Sequence, residues 1–562
     1  MLNRLMGLET EYAVRRLGSH YFPLGNLYLF RALMTAMRPY CDQVRGRDFS
    51  VTGERYFVQN GGAFYYEALP TAVDGGLIEG VTPECTSPHE LLVYQKAQEH
   101  LLIDALRNAR RNLPKSEDEQ RQFGLLKNCR DAYGHVHAAQ ENYEVEIARG
   151  WRLWLWRAGL VALAPAILPI ALALWAMTLV WVIPALAYTL LGSVIKGAAQ
   201  RTKSGAAEEV FWSFIQRLAR PLVWTEVALW APVTLGINGL MRLCAFRDIR
   251  RNAMSFFVSR SVICGAGSMH PNGSFTLAEK ATVIKRVLRL TNSPSDRPML
   301  DTGNLLKQFM APAMLRFDPL LRLFCGRQRL QLGFADANMA PTAEYLKLGM
   351  TALVLDMAEE GWLQDAPQPR DPVAALHAIA HDPSLRTDIT MTDGSRWRAL
   401  AMQRFYLDRA SKFVSESRTV SLEATRIVKL WRDVLDGLEF APERLFGQID
   451  WLTKKSLLER GQFSCDYAGL KKIDLRYHEL DDGYFEWLRA SGLVPEFLRD
   501  AEVEVALTKP PRSRAARVRS YFIRKLAKDK IRGVLSWDGV RLSQLHDSSR
   551  RRVVRFSRRC GL

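Results

Sequence analysis

The chain has 562 residues, a formal net charge of +18 and 48% hydrophobic residues, enough for several domains or one large domain carrying an insertion. Its eight cysteines are scattered with no C-x-x-C pair, which indicates neither a zinc site nor a disulfide framework and fits a reducing compartment. The polar, acid-bearing N-terminus does not read as a signal peptide, and the excess of Lys and Arg suits anionic lipid, nucleic acid or an acidic protein.

Met6-Gly-Leu-Glu-Thr-Glu-Tyr12 reads as a strand with Glu9 and Glu11 on one face, either an exposed edge or a site for a hard cation. Tyr28–Met37 has helical apolar spacing, and Gly53 marks a turn. Asn60-Gly-Gly-Ala-Phe-Tyr-Tyr-Glu67 is a turn followed by an aromatic strand, and Leu77-Ile-Glu-Gly-Val-Thr-Pro-Glu-Cys85 adds Glu79 and Glu84. If these strands are neighbours, Glu9, Glu11, Glu67, Glu79 and Glu84 can converge. Pro88–Arg107 then reads as an amphipathic helix.

Ala158 to Ile195 is an almost unbroken apolar run, beyond the ~20 residues that one membrane-spanning helix needs. Trp151, Trp154, Trp156, Trp175, Trp181 and Tyr188 give it aromatic weight, and Pro165, Pro169 and Pro184 predict kinks. A buried core helix is the alternative. A basic linker, Lys196 to Arg220, leads to a second apolar run, Pro221 to Phe246, which carries Glu226 and Arg242 and can lie in a membrane interface. Further on, Phe256–Cys264 and Gln331–Phe334 read as strands. Tyr345–Glu359, Leu400–Val414, Val420–Leu438 and Phe446–Arg460 read as helices. Lys509-Pro-Pro511 breaks regular structure before a basic helix, Arg514–Lys530, and a strand, Gly533–Leu542.

Several of these stretches together resemble the Pup ligase and Pup deamidase/depupylase family: Met6–Tyr12, Asn60–Glu67 and Thr82-Pro-Glu-Cys85. Tyr133-Gly, Glu141-Asn-Tyr143, Phe257–Gly267, Asp336-Ala-Asn-Met339, Tyr345–Asp356 and Gln403-Arg-Phe-Tyr406 also fit. So do Ile449-Asp-Trp451, Asp474-Leu-Arg-Tyr477, Lys509-Pro-Pro511 and Ser536-Trp-Asp538. The resemblance runs in order over nearly the whole chain outside roughly residues 146–255. It implies an α/β (α+β) fold: a glutamine-synthetase-like curved antiparallel sheet backed by helices. This catalytic domain is expected over 1–145 and 255–480, with a small C-terminal domain over 481–562. The inserted hydrophobic, membrane-associated helical region covers 146–254.

The resemblance further implies an ATP- and Mg²⁺-dependent ligase. Such an enzyme joins the C-terminal glutamate of a Pup-like modifier to a lysine of a target protein. It carries metal binding onto Glu9, Tyr65 and Glu79, and nucleotide contact onto Thr82 and Trp537. The family's catalytic aspartate falls at Glu67, one methylene longer, which moves the carboxylate by about 1.5 Å. The family's arginine two residues before Tyr65 is Ala63, and its histidine before Glu141-Asn-Tyr143 is Gln140. Its Ser-Gln-Arg-Ala-x-His pattern reads Ala278-Glu-Lys-Ala-Thr-Val283, and its Asn-Thr-Arg-Asp-Glu segment reads Asp301-Thr-Gly303-Asn-Leu305. These departures remove cationic and histidine groups.

The short spacing between the first two acidic strands is ligase-like, whereas Ala374–Arg386 and Gln403–Arg409 are closer to the deamidase branch. A membrane-bound scaffold that binds a modifier without turnover is the reading from another class; ATP binding separates it from an enzyme. No nucleic-acid partner is expected. Arg149, Arg152 and Arg157 before the first apolar run, and Lys196, Arg201 and Lys203 after it, predict both flanks at the cytoplasmic face of the inner membrane. A helical hairpin is predicted within 153–195, with 221–246 interfacial.

Overall fold

The computed structural model describes residues 1–16, 25–46, 54–68, 75–112, 123–130, 136–137, 139–177, 225, 228–289, 297–418, 421–462, 465–528, 532–543 and 551–556. The second half of the predicted hairpin, the basic linker and Tyr133-Gly lie outside these residues. One large sheet organises the molecule. It contains β1 (Met6–Arg16), β2 (Gln43–Arg45), β3 (Glu54–Val58), β4 (Ala63–Ala68), β5 (Gly76–Val81), β6 (Phe123–Leu126) and β7 (Ala139–Glu146). After the small hairpin of β8 (Ser268–Met269) and β9 (Phe275–Thr276), the sheet continues with β10 (Arg286–Leu288), β11 (Pro298–Asp301) and β12 (Arg327–Leu332). The strand order is β10-β11-β12-β7-β1-β5-β4-β3-β2, with β6 also paired to β1. Every pairing but β10 with β11 is antiparallel.

Period-two alternation gives the sheet two different faces. Leu8, Tyr12, Phe64, Ile78 and Tyr143 are buried on one face, under helices that include Pro88–Asn112 and Pro341–Glu359. Gln98 of the first helix donates to Tyr12 Oη at 3.0 Å. The opposite face carries the acids. In register, Glu11 faces Glu79, which faces Tyr65, and Glu9 faces Val81 on one side and Gln140 on the other. Glu67 lies two residues along β4 from Tyr65, on this same face.

The helices Pro341–Glu359, Ala399–Glu416, Leu422–Phe440 and Asp450–Gly461 match the predicted spans closely. Residues 256–264 do not form the expected strand; they form helices Met254–Ser259 and Ser261–Cys264. All their side chains are buried, so the stretch carries no alternation by which to tell strand from helix. The helix lets Arg260 reach Glu141 in β7 at 2.5 Å. The expected single strand Gly533–Leu542 is a hairpin of β13 (Arg532–Leu535) and β14 (Gly539–Ser543), with Ser536-Trp-Asp538 as its turn. These strands, with β15 (Arg551–Arg555) and helix Arg514–Lys528, form a small separate core around Ile523, Leu535, Val540 and Phe556. That core packs on Phe57 and Ala63 of the main sheet. Six of the described cysteines are free.

Helix Trp151–Met177 begins after β7 and is the one described helix long and apolar enough to cross a membrane. Pro165 tightens it into a 3-10 turn at Ala164–Ala166. A second helix at 228–243 lies beside it. Gly159 and Gly236 admit Leu240 and Leu163 where a Cβ would collide with those side chains. The insertion closes where Phe246 N–H donates to the Ile147 carbonyl at 2.7 Å.

Candidate active site

The open face of the sheet forms the floor of a cavity of about 400 Å³. β1, β4 and β5 bring Glu9, Tyr65 and Glu79 to this floor, and Thr82 follows directly after β5. The small C-terminal core supplies the roof through the hairpin turn at Trp537 and Asp538. Five of the six expected site residues therefore line one cavity. The sixth, Glu67, stands on the same sheet face outside the cavity lining.

Each position has a local cause. The Asn60-Gly-Gly turn joins β3 to β4: Gly61 takes a left-handed φ of 94°, and Asn60 Oδ1 accepts from Gly62 N–H at 2.9 Å. Thr82 is buried and locks β1 to the end of β5. Its Oγ1 accepts from Leu8 N–H at 2.9 Å, and its own N–H donates to the Leu8 carbonyl at 3.0 Å. Trp537 Nε1 donates to Tyr65 Oη, which ties the roof to the floor. Arg519 stacks 4.1 Å from the Trp537 ring centre and pairs with buried Glu84 at 2.5 Å. Glu84 is thus spent on holding the C-terminal core, while Glu9 and Glu79 stay on the floor.

Glu9 is held from β7 and β12: Arg329 lies 2.6 Å away, and Asn142 and Gln331 donate to its two oxygens at 3.1 and 3.3 Å. Among the described residues, no side chain hydrogen-bonds or ion-pairs with Glu79. Burial, then Glu9, Glu67 and Glu11, push its carboxyl well above the usual range, with Arg55 opposing. Water reaches Glu67, yet the surrounding protein desolvates it. Together with Glu11 and Glu9, that desolvation pushes its carboxyl up to about 7, against Lys280 and Lys307. Burial and the nearby carboxylates also raise the Tyr65 phenol, which therefore keeps its proton.

Among the described residues no trio of His, Cys, Asp or Glu closes on a metal site by itself. The donor set nonetheless fits Mg²⁺, which takes one or two carboxylates and completes its octahedron with phosphate and water oxygens. A cation here would relieve the like-charge crowding at Glu79. Arg55, Lys307 and Arg329 also line the cavity and suit phosphate.

These cations were missed in the sequence, where the departures read as a loss of positive charge. Ala63 leaves Tyr65 without its own strand's arginine, but Arg55, its register partner in β3, lies 4.2 Å over the ring. Lys280 occupies the arginine position of the altered Ser-Gln-Arg-Ala-x-His pattern and lies 3.7 Å from Glu11. Two signals were legible. Arg327, Arg329 and Gln331 alternate along β12, and Asn304, Lys307, Gln308 and Ala311 repeat at helical spacing. Gln140, at the histidine position, bonds Gln331.

A helix-backed antiparallel sheet with acids on its open face and a small core roofing the cavity defines the class of protein. The chain belongs to the Pup ligase family: the family model described as Pup-ligase protein matches residues 4–541. A depupylase from Acidothermus cellulolyticus is 32% identical over 317 residues, covering 54% of this chain and 60% of the relative's own length. A Pup–protein ligase from Acidimicrobium ferrooxidans is 24% identical over 99% of this chain and 95% of the relative. The fold is similar to two solved structures. The ligase PafA in complex with Pup has a TM-score of 0.65 at 20% identity, covering 99% of this chain and 90% of that one. PafA in complex with ADP has a TM-score of 0.60 at 19% identity, covering 96% and 93%.

Proposed function

We propose that the chain is an ATP- and Mg²⁺-dependent ligase that forms an isopeptide bond between the C-terminal glutamate of a Pup-like modifier and a target lysine. The observation that carries this reading is the single cavity shared by Glu9, Tyr65, Glu79, Thr82 and Trp537. The ADP and Pup in the two solved PafA structures support it. Bound ATP with Mg²⁺ supplies the phosphoryl group that activates a carboxylate. Glu9 and Glu79, with Tyr65, hold the cation. Thr82 edges the nucleotide site, and Trp537 offers its indole to the base. Arg55, Lys307 and Arg329 balance phosphate charge. Glu67, outside the nucleotide cavity, takes the proton from the attacking lysine.

Hydrolysis of such a bond is the second reading, favoured by the 32% identity to a depupylase against 24% to a ligase. There Glu67 is the nucleophile toward the amide. Alignment over 99% of the chain and 95% of the ligase relative favours the forming direction. Incubation with ATP, Mg²⁺, a Pup-like protein ending in glutamate and a lysine-bearing protein tests both. A covalent conjugate supports the ligase. Cleavage of a preformed conjugate with none formed supports the hydrolase. Failure to bind ATP leaves the scaffold reading.

The same proposal places the chain at the cytoplasmic face of the inner membrane. It is motivated by helix Trp151–Met177 and by Arg149, Arg152 and Arg157, which precede its apolar run. Recovery of the expressed chain only in the soluble fraction would reject this attachment.

A further inference from the structure

Helix Trp151–Met177 lies lengthwise along the wall of the cavity. Trp156 Nε1 donates to the Leu323 carbonyl at 2.7 Å, and Arg157 Nε to the Phe324 carbonyl at 3.0 Å. Near the far end, Trp175 Nε1 donates to the Ala313 carbonyl at 3.1 Å. The segment that receives these bonds is the one whose Ala311, Arg316, Pro319 and Arg322 line the cavity.

The helix buries Trp156, Leu160, Ile167 and Ala171. Its other side is also apolar: Trp154, Val161, Leu168 and Leu172 are exposed, Leu168 by 66%. The exposed apolar surface continues on the cavity wall beside the Trp175 anchor, where Met314 is 74% and Phe317 60% exposed. Isolated exposed apolar side chains need no explanation, but a run of them shared by two adjoining elements does.

A bilayer span does not fit this arrangement. A helix bonded to the wall along its length would carry Arg316, Asp318 and Arg322, with irregular backbone, into hydrocarbon. Lying in the interface does fit. Trp151 and Trp154 suit the headgroup level, and the exposed Arg149, Arg242, Arg247 and Arg251 at the base of the insertion match anionic headgroups.

We infer that the chain docks in the plane of an anionic lipid surface, through one continuous face formed by helix Trp151–Met177 and the 314–321 wall of the cavity. The wall of the nucleotide cavity is then itself part of the lipid-binding surface. For this helix the inference is the alternative to the predicted spanning hairpin, whose second half lies outside the described residues. It rests on the membrane attachment proposed above and is independent of the ligase reading.

The test uses the full chain and co-sedimentation with phosphatidylcholine vesicles containing phosphatidylglycerol. Binding is expected, weakened by salt and reversed by alkaline carbonate. Leu168→Glu and Phe317→Glu should each lower vesicle affinity by roughly tenfold or more, since each removes a large apolar contact with lipid. Leu422→Glu, at a side chain 85% exposed on helix Leu422–Phe440, should leave binding unchanged. Unchanged circular dichroism in each variant verifies folding. If Leu168→Glu weakens binding and Phe317→Glu does not, the helix leaves the wall to enter lipid, and the in-plane mode is overturned while attachment stands. Resistance to carbonate overturns it likewise. No vesicle binding by the parent chain overturns both.

Discussion

On the helix-covered side of the sheet, Glu141, Glu99 and Glu344 each meet a cation of their own chain. Glu141 lies 2.5 Å from Arg260, and Tyr143 Oη donates to it at 2.6 Å. Glu99 is 2.7 Å from Lys127, and Glu344 is 2.9 Å from Lys347. Burial opposes ionisation at Glu99, but Lys127 and Lys96 overcome it and hold the carboxyl down at about 2. On the open side, Glu79 and Glu67 go the other way, with burial and neighbouring acids driving both up. The two sides of the sheet thus hold their acids differently. Those between the sheet and its helices are neutralised within the chain and hold the fold. On the cavity side Glu9 has Arg329, but Glu79 and Glu67 are left crowded, a state that a proton or an added cation relieves.

The strongest way to break the comparison is to create the crowding on the covered side. Arg260→Met leaves Glu141 buried without its cation, and uncompensated buried charges cost about 3–5 kcal/mol. Arg260 also donates to Thr351 Oγ1 at 2.7 Å, so the loss is not confined to one partner. Urea denaturation should show a stability loss of that order. A change within error would mean that the covered acids are not structural.

On the open side the same kind of change should spare the fold and strike activity. Glu67→Gln cannot accept a proton from lysine, so turnover should fall by ~10²-fold or more. Nucleotide affinity should stay nearly constant, because Glu67 is outside the cavity lining. Conjugate formation and ATP binding measured on the same sample separate the two effects. Unchanged turnover would reject the role given to Glu67.

Glu9→Gln and Glu79→Gln should show the opposite split, weakening Mg²⁺·ATP binding directly. We expect at least the ~10–100-fold that loss of an outer partner of a metal ligand costs. Titration with and without Mg²⁺ reads this. A loss equal in both conditions would show that these acids contact something other than the cation.

The two kinds of acid were not equally legible in the sequence. Alternation alone put Glu9 and Glu11 on one face, and β4 and β5 repeat the pattern at Tyr65, Glu67 and Glu79, so the floor of the cavity could be read. The sequence grouped Glu84 with these acids, because adjacency along a strand does not reveal Arg519, hundreds of positions away, as its partner. Arg260 was placed on a strand for a related reason: a wholly buried segment has no polar side to report its period. The roof was legible only as a motif. Trp537 fell in the middle of the expected strand Gly533–Leu542, whereas the hairpin turn is what aims it at Tyr65. The cationic wall was missed because it comes from a different helix and from neighbouring strands, at positions that no single motif spans.

The smallest expected effect is on stability against pH, and it tests the crowding without any turnover. Glu67 titrates at 4.5 when unperturbed and at about 7 in the fold, raised by desolvation, then by Glu11 and Glu9. Well below pH 4.5 both states hold the proton, and the side chain favours neither. Between the two values the folded state keeps a proton that the unfolded state has released, so stability declines as pH rises through about 7. Glu67→Gln removes that decline. In metal-free buffer the variant should match the parent at low pH and exceed it in thermal stability at pH 8. Added Mg²⁺ should narrow the gap at pH 8, because a cation held at Glu9 and Glu79 lets Glu67 ionise at lower cost. Superimposable pH profiles for parent and variant without metal would mean that Glu67 does not share the charge of the open face, and the contrast between the two sides would then rest on Glu79 alone.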